Sequence, residues 1–396
     1  MNSISTKNVE LLPDEEFRIE VGESQKLRIK VVKGIAEIKG KELLKESTNV
    51  FTDVKTSIYT FTGCQLQIEG EADLTFVSKC SPFPAVFTIF DRLYKNLKEE
   101  NKVCNVLLLG SGKSTVAVSL CNFFVRMHEK VIFTEIDPSK GNIFPGALST
   151  MVIENLSEPF FDLNNPFSLF YGSKEVSNQE LYEMQVQSLA EKCSTFSHPN
   201  IIVAPEMEHS FLETVIDIFN ITHLVVVGDE RMYYLILNKM EKEELKNSWG
   251  DKLRVKGKKI EAFYVENPGF LQENKVAKSI KRYFYGKSEF TPSRILVNKN
   301  NISVLKLGED FAAPVSALPL GSSRRLGLMG VEEVDLQESS ILGISTATDQ
   351  ESVITAPIAG FAVCVDEKKG KILCSQPKLP SKTVYLIQGN IKFIDY

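Results

Sequence analysis

Between Glu16 and Ser78 apolar and polar residues alternate in FRIEV, KLRIKVV, GIAEIKG, TSIYTFTG, CQLQIEG and ADLTFVS. Glycines 34, 40, 63 and 70 fall where tight turns are needed. A period of two broken by glycine predicts short antiparallel strands, hence a small all-β domain. The Pro-bearing joint CSPFP (80–84) leads into VFTIFDRLYKNLKEE, whose apolar residues recur at helical spacing. From Val103 to Gly286 the pattern changes. VCNVLLL is a continuous apolar run, STVAVSLCNFFVRMHEK repeats near 3.6, and VIFTEID, IIVA (201–204) and HLVVVGDE are further apolar runs, with a helix expected over FLETVIDIF. Buried strands interleaved with helices predict a parallel α/β sheet. The residues between VIFTEID and IIVA read as a long irregular stretch. Past about residue 290, ISVLKLG, GFAVCV, KILCS and TVYLIQGNIKFIDY alternate again, and a second β-rich domain is expected there. The expected domains are 1–95, β-sandwich-like and ending in the start of a linker helix; 96–290, central; and 291–396, β-rich.

Charge narrows the partners. The formal net charge is −5, which argues against coating nucleic acid through bulk electrostatics, because that needs a basic surface. Any RNA contact is expected to be local and weak. Seven cysteines are scattered without a C-x-x-C pair, a usage that fits a reducing compartment better than a disulfide framework. MNSISTKNVELLPDEE lacks the apolar core of a signal peptide, and no apolar run approaches the ~18 residues of a membrane span. Cytosol or nucleus is the expected location, with no membrane partner. His128, His198, His209 and His223 share no segment, so each is read as a surface or packing residue. Asp229 and Glu230, at the end of HLVVVGDER, are read as structural for the same want of a motif.

The candidate chemistry sits in LLLGSGKST (107–115). A P-loop is written G-x-x-x-x-G-K-[ST], so that backbone N–H groups wrap a phosphate. Here Ser111 alone separates Gly110 from Gly112, and the loop is three residues short. A buried strand runs in and an amphipathic helix runs out, as a central P-loop NTPase-like sheet requires. The helix N-terminus offers N–H groups and partial positive charge to an anion. Lys113 would reach the β- and γ-phosphates of ATP, and Ser114 would be a Mg²⁺ ligand. Three missing residues remove roughly 10 Å of contour. Sliding the strand to restore the length would put Leu107 where a glycine belongs. A shortened loop with a weaker grip on the β-phosphate is expected. At the end of the next apolar run, Glu135 and Asp137 offer carboxylates of the kind that hold metal-bound water or take a proton from an attacking hydroxyl.

This order of segments, with GKST, EID followed by GNIFPG, RYFYG (282–286) and LPLG (318–321), resembles the pre-mRNA cleavage and polyadenylation factor subunit of the polynucleotide 5′-hydroxyl-kinase family. The likeness runs from about Glu16 to the end. It implies an ATP-binding subunit of the nuclear mRNA 3′-end processing complex, with the ATP base toward the N-terminal domain. By position, Glu16 and Lys55 match residues near the base and sugar. Gly110, Ser111, Gly112, Lys113, Ser114 and Thr115 match the end of the P-loop. Asp137 matches the carboxylate near the attacking hydroxyl in active members. The partner implied is the subunit that contacts the C-terminal domain of RNA polymerase II.

Three departures stand against turnover. The loop is short. Active members carry T-x-G-W after the third main strand, where this chain has VAPEMEH, and its only tryptophan, Trp249, lies elsewhere. Active members also carry arginines in a lid helix before Y-F-Y-G, where this chain has Lys275, Lys278 and Lys281 and no arginine before Arg282. The expectation is a scaffold subunit that binds ATP without kinase activity. The alternative is an ATP-dependent polyribonucleotide 5′-hydroxyl kinase using Lys113, Ser114 and Asp137.

Overall fold

The computed structural model describes residues 6–156, 165–242, 251–255, 257–269, 275–286, 290–297, 302–308, 330–375, 379 and 384–394. Trp249 and LPLG lie outside them. The helices are α1 (Phe83–Glu99), α2 (Lys113–Arg126), α3 (Gln179–Ser194), α4 (His209–Ile218), α5 (Glu230–Lys239) and α6 (Lys275–Tyr285). The chain forms two compact units. One holds Met1–Phe133, Val152–Asp162 and Ser197–Glu273, the other Thr134–Met151, Leu163–Phe196 and Asn274–Tyr396.

In the first unit the alternating N-terminal segment folds as expected. One sheet runs in the order Lys7–Leu11, Cys64–Gly70, Leu27–Gly34, Thr48–Phe51, and a second in the order Lys41–Glu42, Glu37–Ile38, Val54–Tyr59, Glu16–Val21, Leu74–Ser78. Every pairing recorded within these two sheets is antiparallel. Phe17, Ile19, Ile29, Val31, Ile58 and Leu66 form part of one buried core. Alternate residues on Glu16–Val21 point the other way, which places Glu16, Arg18 and Glu20 on one face.

The same unit contains the parallel strands of the P-loop sheet. Asn105–Gly110 pairs in parallel with Asn200–Val203 on one side and His223–Val227 on the other, and the latter pairs in parallel with Lys258–Val265. Asp251–Val255 and Glu241–Lys242 then add antiparallel strands, so the sheet is mixed. The reason is length: Val255 stands opposite Lys258, and a two-residue connection can join only antiparallel strands. Asp229 caps α5, its Oδ1 accepting from Met232 N at 2.7 Å, in keeping with a structural reading. His223 is buried, with Thr222 Oγ1 2.7 Å from Nδ1 and Asn96 Nδ2 3.3 Å from Nε2. Burial pushes its pKa down to about 4, and it is a packing residue.

The second unit corrects the expected irregular stretch. It contains the antiparallel pair Ala147–Thr150 with Phe167–Phe170, and the sixteen residues of α3. Leu181, Tyr182, Gln185, Val186, Leu189, Ala190 and Cys193 make the buried side of α3. The spacing is helical, but glutamine and cysteine dilute it. Asn178 is the N-cap: its side chain accepts from Leu181 N at 2.9 Å and donates to Gly308 O at 2.7 Å. Asn178→Ala is expected to cost about 1–2 kcal/mol in urea unfolding, the usual value of a cap. The C-terminal sheet runs Ser293–Leu296, Lys371–Cys374, Ile358–Asp366, Ser340–Ser345, Val384–Lys392, Ile302–Leu307, Val331–Glu333. Its one recorded parallel pairing joins Ile302–Leu307 to Val384–Lys392.

Candidate functional site

The strand before the glycine turn does not slide. Val106, Leu107 and Leu108 are wholly buried between both parallel neighbours, and Gly110 still pairs opposite Val227. The chain therefore has only Gly110, Ser111 and Gly112 in which to leave the sheet and enter α2. Gly110 takes φ +89° and Gly112 φ +90°, conformations that side chains rarely adopt. An ideal Cβ on Gly110 would stand 2.2 Å from Val227 O. Gly112 is the N-cap of α2, and its carbonyl accepts from Thr115 N at 2.9 Å and Val116 N at 3.3 Å. Lys113 and Ser114 are 4% and 5% exposed, and Thr115 is half-buried.

A triphosphate is a poor fit to this turn. The helix N-terminus, the lysine and the serine suit contact with a phosphate. The loop that would carry backbone amides around the middle phosphate is missing. An ideal Cβ on Gly112 would lie 2.5 Å from Pro268 Cδ, so another part of the chain packs directly against the turn. The turn presents donors to one end of an anion only.

Glu16 and Lys55 lie on neighbouring strands but apart. Glu16 stands opposite Tyr59 and Lys55 opposite Glu20, four residues or roughly 13 Å along the strand. Glu16 is fully buried, 2.5 Å from Arg18 Nη2, and accepts from Ser81 Oγ at 3.1 Å. Burial raises its pKa, with Arg18 opposing. Lys55 pairs with Glu20 at 3.0 Å on a partly exposed face. Arg18 was missed in the sequence. Its guanidinium lies 5.9 Å from the Phe76 ring centroid, and an ideal Cβ on Gly269 would be 2.1 Å from its Nη1. The alternation of FRIEV put it on the polar face, and no motif distinguished it.

VAPEMEH contributes Glu206, Met207 and His209 to a cavity of about 140 Å³, lined also by Leu109, Leu212, Met232 and Leu235. Methionine and leucine line much of this cavity, and no tryptophan, tyrosine or phenylalanine is among the lining residues.

Asp137 belongs to the second unit. Its Oδ1 accepts from Ser139 N at 3.0 Å and Ser139 Oγ at 2.6 Å, and Oδ2 is 4.0 Å from Lys140 Nζ. Glu135 is fully buried. It accepts from Asn142 N at 2.8 Å, Ile143 N at 3.3 Å and the Asn142 side chain. Burial, helped by the Asp137 charge, pushes its pKa up to about 7. GNIFPG is thus wrapped around a buried carboxylate, a role that the sequence reading did not assign. In the lid region, residues 270–274 and the side chain of Lys275 lie outside the described residues. Ser279 of α6 donates to Gly141 O at 2.8 Å. Tyr283 and Phe144 both pack edge-on against Phe361, so RYFYG anchors α6 within its unit.

Strand, glycine turn and a helix opening on Lys-Ser define a P-loop protein. Family models match nearly the whole chain: the N-terminal β-sandwich domain of polyadenylation factor at 10–99, the mRNA cleavage and polyadenylation factor CLP1 P-loop at 109–286, and the pre-mRNA cleavage complex II protein Clp1 at 290–395. The chain belongs to the Clp1 family. It is 26% identical to the polyribonucleotide 5′-hydroxyl-kinase Clp1 of Homo sapiens, covering 98% of this chain and 97% of that one. It is 26% identical to the CLP1 homolog of Arabidopsis thaliana, covering 99% and 95%. The solved Clp1p–Pcf11p (454–563) complex aligns with a TM-score of 0.80 at 18% identity, covering 100% of this chain and 99% of that one. A second structure, concerned with an extended Pcf11p–Clp1p interface and with ATP loss in a glycine-to-arginine mutant, aligns at 0.77 and 19% identity, covering 99% and 100%. A P-loop kinase family of this kind implies a nucleotide-binding context.

Proposed function

We propose that this protein is a scaffold subunit of the nuclear pre-mRNA cleavage and polyadenylation complex and does not phosphorylate RNA. The observation that carries the reading is the turn itself: three residues, between a buried strand and α2, stand where a phosphate-enclosing loop is needed. Membership of the Clp1 family supports the complex, and the relatives solved with Pcf11p support a partner of that kind. We read the scaffold as three domains: a β-sandwich to about residue 95, a P-loop core to about 290 and a β-rich C-terminal domain. ATP, if it binds, would meet the N-terminus of α2, Lys113 and Ser114, and Mg²⁺ would fall to Ser114. With Glu16 closed off by Arg18 and Ser81, the base would find less in the N-terminal sheet than the resemblance implies.

The test is assembly. Tagged protein isolated from nuclear extract of its own organism is expected to bring down the cleavage and polyadenylation subunits, with the homologue of Pcf11p among them. Lys113→Ala should leave that recovery unchanged. Recovery without those subunits would refute the scaffold reading. The kinase alternative keeps Lys113, Ser114 and Asp137 in their sequence-assigned roles.

A further inference from the structure

Loop 267–269 touches both sides of a joint within the first unit. Toward the P-loop, the Pro268 ring packs on Gly112, and Asn267 Nδ2 is 3.3 Å from Ser111 Oγ. An ideal Cβ on Gly228 would be 2.8 Å from Asn267 Cβ and 2.9 Å from Ser111 O, so three segments meet there at backbone distance. Asn267 Oδ1 accepts from Gly269 N at 2.8 Å, which fixes the loop's own shape. Toward the N-terminal sheet, the Gly269 backbone lies against the Arg18 guanidinium. Arg18 is held by Glu16, which Ser81 also engages.

We propose that the loop Asn267–Pro268–Gly269 ties the N-terminal β-sheets to the phosphate turn in place of a nucleotide. A nucleotide at such a joint would supply hydrogen-bond acceptors and negative charge. Here both are supplied by the chain: Glu16 neutralises Arg18, and Ser111 and Gly112 meet Asn267 and Pro268. Proline adds rigidity, because its ring has no φ freedom to lose on docking. The turn is braced by Val227 on one side and Pro268 on the other, which opposes its widening around a phosphate.

Hydrogen exchange on the full-length protein, stripped of nucleotide, tests this. In the native chain, protection of Glu16–Val21, Leu74–Ser78 and residues 110–116 is expected to be high and to change less than about twofold on adding 1 mM ATP with Mg²⁺. The double variant Asn267→Ala, Pro268→Gly is expected to exchange at least tenfold faster in those segments. Ser340–Ser345 and Val384–Lys392, in the other unit, should stay protected and report that the variant is folded. If the C-terminal strands also lose protection, Ser111→Ala decides: it removes only the side-chain hydrogen bond to Asn267 and should speed exchange in residues 110–116 alone. A tenfold gain of protection from ATP in the stripped native chain would overturn the proposal. So would a double variant that exchanges like the native chain, or, where that variant does not fold, a Ser111→Ala chain with native exchange.

Discussion

Given ATP, Mg²⁺ and a 5′-hydroxyl oligoribonucleotide, the protein is expected to transfer γ-phosphate at least ~10³-fold more slowly than a family member with a full-length loop and arginine lid. The size of the effect follows from what phosphoryl transfer demands. Its transition state is stabilised by pre-positioned donors and positive charge around the moving group. The three-residue turn cannot bring enough amides around the middle phosphate. Lys278 and Lys281 of α6 carry charge but lack the planar fork with which arginine grips phosphate oxygens. An arginine in that role contributes ~10³ or more, and replacing T-x-G-W by VAPEMEH, as the resemblance reads it, would forfeit about 1–3 kcal/mol of stacking. Lys113→Ala should leave any residual label incorporation unchanged, because that residue no longer sits under an enclosed phosphate. Incorporation that rises with enzyme and disappears in Lys113→Ala would establish the kinase alternative.

The second large effect concerns Glu135. Its pKa of about 7, against an ordinary 4.5, means that the folded state holds a proton that the unfolded chain has released. Between those two values stability falls as pH rises, by about 3 kcal/mol in all. Below 4.5 the contribution is fully present, and above 7 it is gone. His223, with a folded pKa of about 4, acts oppositely, adding stability as pH rises from there toward 6.5. The two nearly cancel in the native chain, so the informative quantity is a difference. Relative to native protein, Glu135→Gln should gain about 3 kcal/mol in chemical unfolding between pH 4.5 and 7, since the amide keeps an acceptor for Asn142 and Ile143 and has no proton to lose. Glu135→Ala should cost about 2–4 kcal/mol at pH 5, because it strands two backbone donors, and less at pH 8. A glutamine variant that parallels the native profile would sink the assignment.

The β-domains were legible because alternation leaves a mark whenever one face of a sheet is buried and the other is not. The P-loop strand and α2 were legible for a related reason, since an all-apolar run followed by Gly-Lys-Ser has few other uses. α3 was not. Its buried stripe includes Gln185 and Cys193, and its cap, Asn178, stands in a polar stretch that reads as loop until Gly308 is seen beside it. The antiparallel hairpin at Val255–Lys258 was equally hidden in a region read as alternating strand and helix.

What the sequence alone determined was the count of residues between Gly110 and Gly112. Chain reach is a covalent property, and a loop that short cannot be lengthened by folding. The tertiary structure decided what occupies the surroundings of that turn. Pro268 and Asn267 come from more than 150 positions downstream, and Arg18 from about 90 upstream. Their meeting depends on close backbone approach at Gly112, Gly228 and Gly269. Distance in space between such positions has no signature in local pattern, because only packing, through the exclusion of one side chain by another, selects it.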